Sequence, residues 1–169
     1  MSMDSLRDLY VEQLKDLYSA ETQILKALPM MAEKAHNPEL KAAFQEHERV
    51  THDQVKRLET IFDGLGEKPG GHHCRGMEGL LKEGQEMIKE KGDPDTLDAG
   101  LIAAAQRVEH YEIAGYGCVR TYADRLGLGD QARTLQTTLD EEGETDHRLT
   151  ALAEQIINPR AQEGDGGYR

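Results

Sequence analysis

The sequence has no tryptophan, two phenylalanines, two cysteines and five prolines. Each scarcity excludes something. Few large aromatics, with many Ala, Leu, Glu and Lys, disfavour strands and favour helices. Two cysteines, Cys74 and Cys118, cannot build a disulfide framework, so a reduced, cytoplasmic setting is expected. No apolar run approaches the roughly 18 residues that a membrane span needs. Asp4 puts a negative charge near the start with no apolar stretch after it, and no signal peptide is expected. Positive charge is short as well: 20 Lys and Arg face 32 Asp and Glu, a formal net charge of -12. That surface repels nucleic acid and anionic lipid, which excludes both as partners. It also raises the local cation concentration, which suits a protein that handles metal ions.

At 169 residues the chain fits one domain with a core that needs no staples. Apolar residues recur at helical spacing in four long stretches. The first runs from about Ser5 to Ala35, with Leu6, Tyr10, Leu14, Leu17, Ile24, Leu28 and Met31 on one stripe and Pro29 as a place for a kink. His36-Asn37-Pro38 ends it, Asn37 reading as a cap and Pro38 as a first helical residue. The second runs from about Pro38 to Phe62, with Leu40, Phe44, His47, Val50/Thr51, Gln54, Leu58 and Ile61. A Gly- and Pro-broken connection follows, carrying a shorter amphipathic helix from Met77 to Lys91. The third long helix spans about Asp95 to Leu126, and the fourth about Asp130 to Asn158, where Pro159 stops it. Residues 160–169 read as a disordered polar tail. Two helical hairpins joined by one long crossover make the expected fold all-α: a ferritin-like four-helix bundle over residues 1–159, its crossover carrying a short fifth helix.

Four acids interrupt the apolar stripes. Glu21 lies seven residues from both Leu14 and Leu28, so it points within about 20° of them. Glu142 stands in the same relation to Leu135 and Leu149, and Glu112 lies seven before Val119. Asp146 follows Glu142 by four and precedes Leu149 by three. Ionised carboxylates do not sit in a core unless protonated, paired or bound to a cation. Several converging from different helices repel one another unless cations hold them. The hairpins also look like pseudo-repeats. Glu112 precedes Glu142 by 30 positions and Glu21 precedes Val50 by 29, with Gln54 matched to Asp146. Val50 thus stands where a second-helix carboxylate is expected.

The string Glu144-Thr145-Asp146-His147 matches Glu-x-x-His literally, but Glu144 and His147 turn away from Glu142 towards solvent, and His52 does likewise. His47 falls on the buried stripe, as a ligand, a group orienting a carboxylate, or a satisfied core histidine. Glu109 flanks the stripe at about 60° from Glu112, as an extra ligand or an edge residue. Tyr18 and Tyr111 adjoin the same level, as donors to the carboxylates or as packing residues. His72-His73-Cys74 carries a weak soft-metal signal in a Gly-rich loop.

The strings Tyr18-Ser19-Ala20-Glu21, Met77-Glu78-Gly79-Leu80, Val108-Glu109-His110-Tyr111-Glu112-Ile113-Ala114 and Leu139-Asp140-Glu141-Glu142 with Thr145-Asp146 resemble the YciF/YciE family of bacterial stress-associated proteins. The resemblance covers the chain to about Ile157. It implies a ferritin-like fold related to rubrerythrins and other di-iron carboxylate proteins, and a homodimer. It implies Glu21, Glu112, Glu142 and Asp146 as the inward polar positions, with His47 opening a His-x-x-Glu stretch. This sequence departs from that stretch at Val50, and at Arg49, where a second acid is frequent. The expected function is binding of iron or manganese, one or two ions per chain, by Glu21, Glu112, Glu142 and Asp146 with His47 or Glu109 assisting. Peroxide, oxygen or stored iron would be the substrate, and an enzyme of this kind would be a metal-dependent oxidoreductase. The alternative is a non-enzymatic dimerising helical protein whose acids are a metal-free remnant.

Overall fold

The computed structural model describes residues 3–164, and these are helical wherever they are regular, with no strand among the described residues. Helix α1 (Leu6–Lys34) starts where the Ser5 hydroxyl accepts the Asp8 amide at 3.1 Å, and it runs on through Pro29. Helix α2 (Pro38–Leu65) begins under Asn37, whose side-chain oxygen accepts the amides of Glu39 and Leu40. It ends at Gly66, which takes the left-handed conformation at φ 69° that L side chains resist. Helix α3 (Arg75–Lys89) opens two residues earlier than the periodicity indicates, because Cys74 caps it. Asp93 caps α4 (Pro94–Arg125), with Pro94 pre-set for the first turn. Helix α5 (Gly129–Leu152) completes the four long elements.

The chain does not stop at Pro159. A π-helical turn, Ala153–Ile157, widens the helix, and α6 (Asn158–Gly164) follows it directly. The widened turn re-registers the backbone, so Pro159 enters as the second residue of a new helical start. There its missing N–H is no loss. The expected tail is therefore helical over residues 160–164, and residues 165–169 lie outside the described ones.

Helix α1 packs on α2, α4 on α5, α1 on α4 and α2 on α5, so the four long helices close a ring. Helix α3 lies outside, on α1 and α4. The interior is not one apolar mass. At one end sit Ile24, Leu28, Phe44, Leu101, Val108, Leu149 and their neighbours. At the other sit Tyr10, Leu14, Leu17, Leu58, Phe62, Val119 and Leu135. Each fully buried Leu, Ile or Phe contributes about 1.5–3 kcal/mol. Between the clusters every long helix carries buried polar residues: Glu21 on α1, His47, Thr51 and Gln54 on α2, Glu109 and Glu112 on α4, Thr138 and Glu142 on α5. Close approach of α1 and α4 at this level needs Gly115, since a Cβ there would fall 2.7 Å from Leu17 Cδ2.

Two buried polar pins hold the frame. Asp98, wholly buried on α4, accepts the backbone amides of His36 (3.0 Å) and Asn37 (2.6 Å), tying down the α1–α2 link. The His72-His73-Cys74 segment pins the crossover. His72 stands between Glu12 (2.8 Å) and Asp16 (2.9 Å), while the Cys74 thiol contacts Asp16 (3.3 Å) and the Tyr111 hydroxyl (2.9 Å). Among the described residues no helix is long and apolar enough to cross a membrane.

The Asp98 pin yields a direct expectation. Asp98→Ala leaves the buried Asn37 amide and the partly buried His36 amide without acceptors and costs about 1–3 kcal/mol. The urea midpoint should drop with an unchanged slope, and a midpoint equal to that of the wild type would contradict the pin.

Candidate metal centre

The polar layer is built by helical repeat. On α4, Glu109, Glu112 and Tyr116 lie three and four residues apart, so one face delivers two carboxylates and a phenol. On α2 the spacing His47, Thr51, Gln54 does the same with an imidazole, a hydroxyl and an amide. Helix α1 adds Glu21, and α5 adds Glu142.

These groups converge. His47, Glu109, Glu112 and Glu142 each place one ligand atom within 4.8 Å of the others, and all four are buried. The His47 Nδ1 lies 3.1 Å from Glu109 Oε1, and its Nε2 lies 3.7 Å from Glu142 Oε2. Gln54 Nε2 donates to Glu142 Oε1 and, at 3.2 Å, to Glu141 Oε2. Glu141 is itself clamped by Arg57 through two bonds of 2.6 and 2.8 Å. The Tyr116 hydroxyl donates to Glu21 Oε1. Thr51 turns its hydroxyl to the His47 carbonyl at 2.8 Å and takes no part in the cluster.

Electrostatics set the character of the site. Burial, then the charge of Glu142, pushes the Glu21 carboxyl up to about 8. Burial also lifts Glu109 to about 8. Glu112 is raised well above the carboxylate range by burial and then by Glu21, and Glu142 by burial and then by Glu109. Burial, then Glu21, raises the Tyr116 phenol, so it stays a neutral donor. Even so, while the carboxylates are ionised no donor reaches Glu21 Oε2, Glu109 Oε2, either Glu112 oxygen or Glu142 Oε2, and His47 Nε2 has no hydrogen-bond partner. Buried polar atoms are rarely left so. One imidazole nitrogen and several carboxylate oxygens aimed at one volume form a donor set that suits iron, manganese or zinc. The residues present therefore fit a bound cation.

Of the residues expected from sequence, His47, Glu109, Glu112 and Glu142 are brought together. Glu21 borders them, within hydrogen-bonding proximity of Glu112. Asp146 is not among them. One full turn beyond Glu142 carries it about 6 Å along the axis, where it accepts from Gln106 (3.0 Å) and faces His110 (3.3 Å). His52, Glu144 and His147 are exposed. Tyr18 and Tyr111 serve Glu59 and Asp16 instead. Val50 is half-buried, and the buried α2 position is Thr51. Thr51 is 30 residues after Glu21, the same interval as Glu112 to Glu142. Tyr116 was missed, although its place four after Glu112 and three before Val119 put it on the stripe.

A family model described as Domain of unknown function (DUF892) matches residues 5–162. Protein YciF of Escherichia coli (strain K12) is 40% identical over 163 residues, 96% of this chain and 98% of that protein. The crystal structure of the E. coli stress protein YciF superposes with a TM-score of 0.89 at 41% identity, covering 92% of this chain and 99% of that one. The structure of YcfI from Rhodopseudomonas palustris does so with a TM-score of 0.84 at 43% identity, covering 89% and 97%.

The raised carboxyls make a signed prediction for metal-free protein. In the unfolded chain these groups lose their protons near 4.5, and in the folded chain Glu21 and Glu109 hold theirs to about 8. The folded state therefore binds more protons between those values, and stability falls as pH rises through that window. Chelator-treated protein should show a denaturant midpoint that declines from about pH 5 to 8, less steeply in Glu21→Gln. A midpoint rising over the same range, or an identical slope in the variant, would contradict the assignment.

Proposed function

The chain belongs to the DUF892 family, and we propose that it is a ferritin-like four-helix bundle whose His47–Glu109–Glu112–Glu142 cluster binds iron or manganese. The observation that carries this reading is the convergence of three buried carboxylates and an imidazole on one volume, with five of their oxygen and nitrogen atoms left without a protein hydrogen-bond donor or acceptor. Protons relieve part of the desolvation cost; a divalent cation relieves it and satisfies the lone pairs together.

Each residue then has a task. With a proton on Nδ1, towards Glu109, His47 offers Nε2 as the donor atom beside Glu142. Gln54 fixes Glu142, and the Arg57–Glu141 pair fixes Gln54 in turn. Tyr116 holds Glu21 at the cluster's edge. Thr51 gives α2 no carboxylate, which favours one ion over a symmetric pair. When bound, iron would exchange one electron at a time with peroxide or oxygen, and either metal would act as a Lewis acid. The surrounding apolar clusters keep bulk water from the donors. We further propose a homodimer in the reduced cytoplasm, in keeping with Cys74 and Cys118 both being free thiols.

A second reading has its own support: the raised carboxyls and the missing α2 acid also fit a protonated, metal-free cluster in a non-enzymatic helical protein. Elemental analysis separates the two. Protein purified without chelator, or loaded anaerobically with Fe(II), should carry close to one metal per chain, and Gln54→Ala should weaken binding roughly 10–100-fold. Less than about 0.2 metal per chain after loading would sink the metal reading.

A further inference from the structure

The cluster is closed on most sides, so an ion needs a way in. Two cavities meet between α2 and α5. The inner one, about 40 Å³, is lined by His47 together with Phe44 and Leu149. The outer one, about 190 Å³, opens past Glu141 and Glu144. They share four residues, Glu46, Val50, Thr145 and Arg148. Val50 and Thr145 are half-buried, while Glu46, Glu144 and Arg148 are exposed, so the shared wall runs from solvent inward. At its inner end stands an imidazole that is 4% exposed and whose Nε2 has no partner. The other grooves lead elsewhere. The α1–α4 groove ends on Asp16, Leu17 and Tyr111, and the α1–α3 grooves touch no residue of the cluster.

We infer that this α2–α5 passage is the entry route of a small divalent cation to the cluster, with Val50 and Thr145 as its narrow point and Glu144 as its electrostatic guide. The inference rests on the metal reading proposed above. Size limits the traveller: an inner cavity of about 40 Å³ holds about one to three waters. An organic substrate does not fit, and an ion must shed hydration as it enters. The position of one charge sets where a cation first gathers. The lining carries Glu46, Glu141 and Glu144 against Arg148 alone. Glu46 is bound to Arg49 and Glu141 to Arg57, which leaves Glu144 on the outer cavity and Arg148 on the wall of both cavities as the lining charges with no ion pair among the described residues. An unpaired carboxylate at a mouth concentrates cations there and speeds their arrival in a salt-dependent way. Val50 then serves as a small apolar wall that does not trap the ion before it reaches His47.

The test uses Co(II) mixed rapidly with metal-free, full-length protein, read by visible absorbance. Val50→Phe narrows the passage without touching a ligand. Association and dissociation should both slow by about tenfold or more, with the equilibrium constant held within about twofold. Glu144→Gln, an exposed substitution that does not threaten folding, should slow association a few-fold at low salt and lose that effect near about 1 M salt. Wild-type affinity with wild-type rates in both variants would overturn the route and leave the metal reading standing. Failure of the wild-type protein to bind Co(II), Mn(II) or Fe(II) at all would overturn the metal reading and the route with it. Should Val50→Phe lose its helical circular dichroism, the Glu144→Gln salt series decides alone.

Discussion

The structure turns on the cost of holding four glutamates, Glu21, Glu109, Glu112 and Glu142, away from water beside one imidazole. An ionised carboxylate in an apolar interior is several kcal/mol out of balance after relaxation. Four in contact cannot all ionise without a counterion. The chain concentrates this cost in one layer and places apolar clusters above and below it. Those clusters supply the stability on which the polar layer draws. The same burial lifts the carboxyl and phenol groups, so protons or a cation must occupy the layer at neutral pH.

The surrounding residues follow from that constraint. Donors are positioned from outside, by Tyr116 on Glu21 and by Gln54 on Glu142, with Arg57 and Glu141 behind Gln54. The frame that brings α2 and α4 to one level is fixed at a distance. Asp98 holds the α1–α2 link, and the Asp16–Tyr111–Cys74 contacts hold the crossover. His72 and Cys74, which by composition could bind a soft metal, are taken up in this structural role. Among the described residues the one group of metal-binding side chains in mutual reach is the buried His/Glu cluster.

Much of this was legible in the sequence, and the differences have physical causes. Helical periodicity located all four long helices and the short one, because each carries an apolar stripe and is bounded by Gly, Pro or a capping residue. The inward acids showed as breaks in those stripes. What periodicity could not supply was depth along the axis. Asp146 and Glu142 share a face, but one helical turn separates a residue in the cluster from one bonded to Gln106 and His110. The hairpin comparison set Val50 against Glu142 while the stripe left Val50/Thr51 open, and the buried position is one residue on, Thr51. A one-residue slip rotates a helical position by about 100°. Glu109 and His47 were ambiguous alone, since only the packing of α2 against α5 and of α4 against both hairpins decides whether a flank position meets its counterpart. Pro159 misled because a π turn can prepare a helix for proline, and nothing in the local sequence announces that turn.

The most direct measurement is anomalous scattering at the iron edge from crystals of Fe(II)-loaded protein. The predicted result is a single strong peak bounded by His47, Glu109, Glu112 and Glu142, with Glu21 beside it and none at His72 or Asp146. An interior without a peak, its glutamates paired with one another through shared protons, would contradict the central claim.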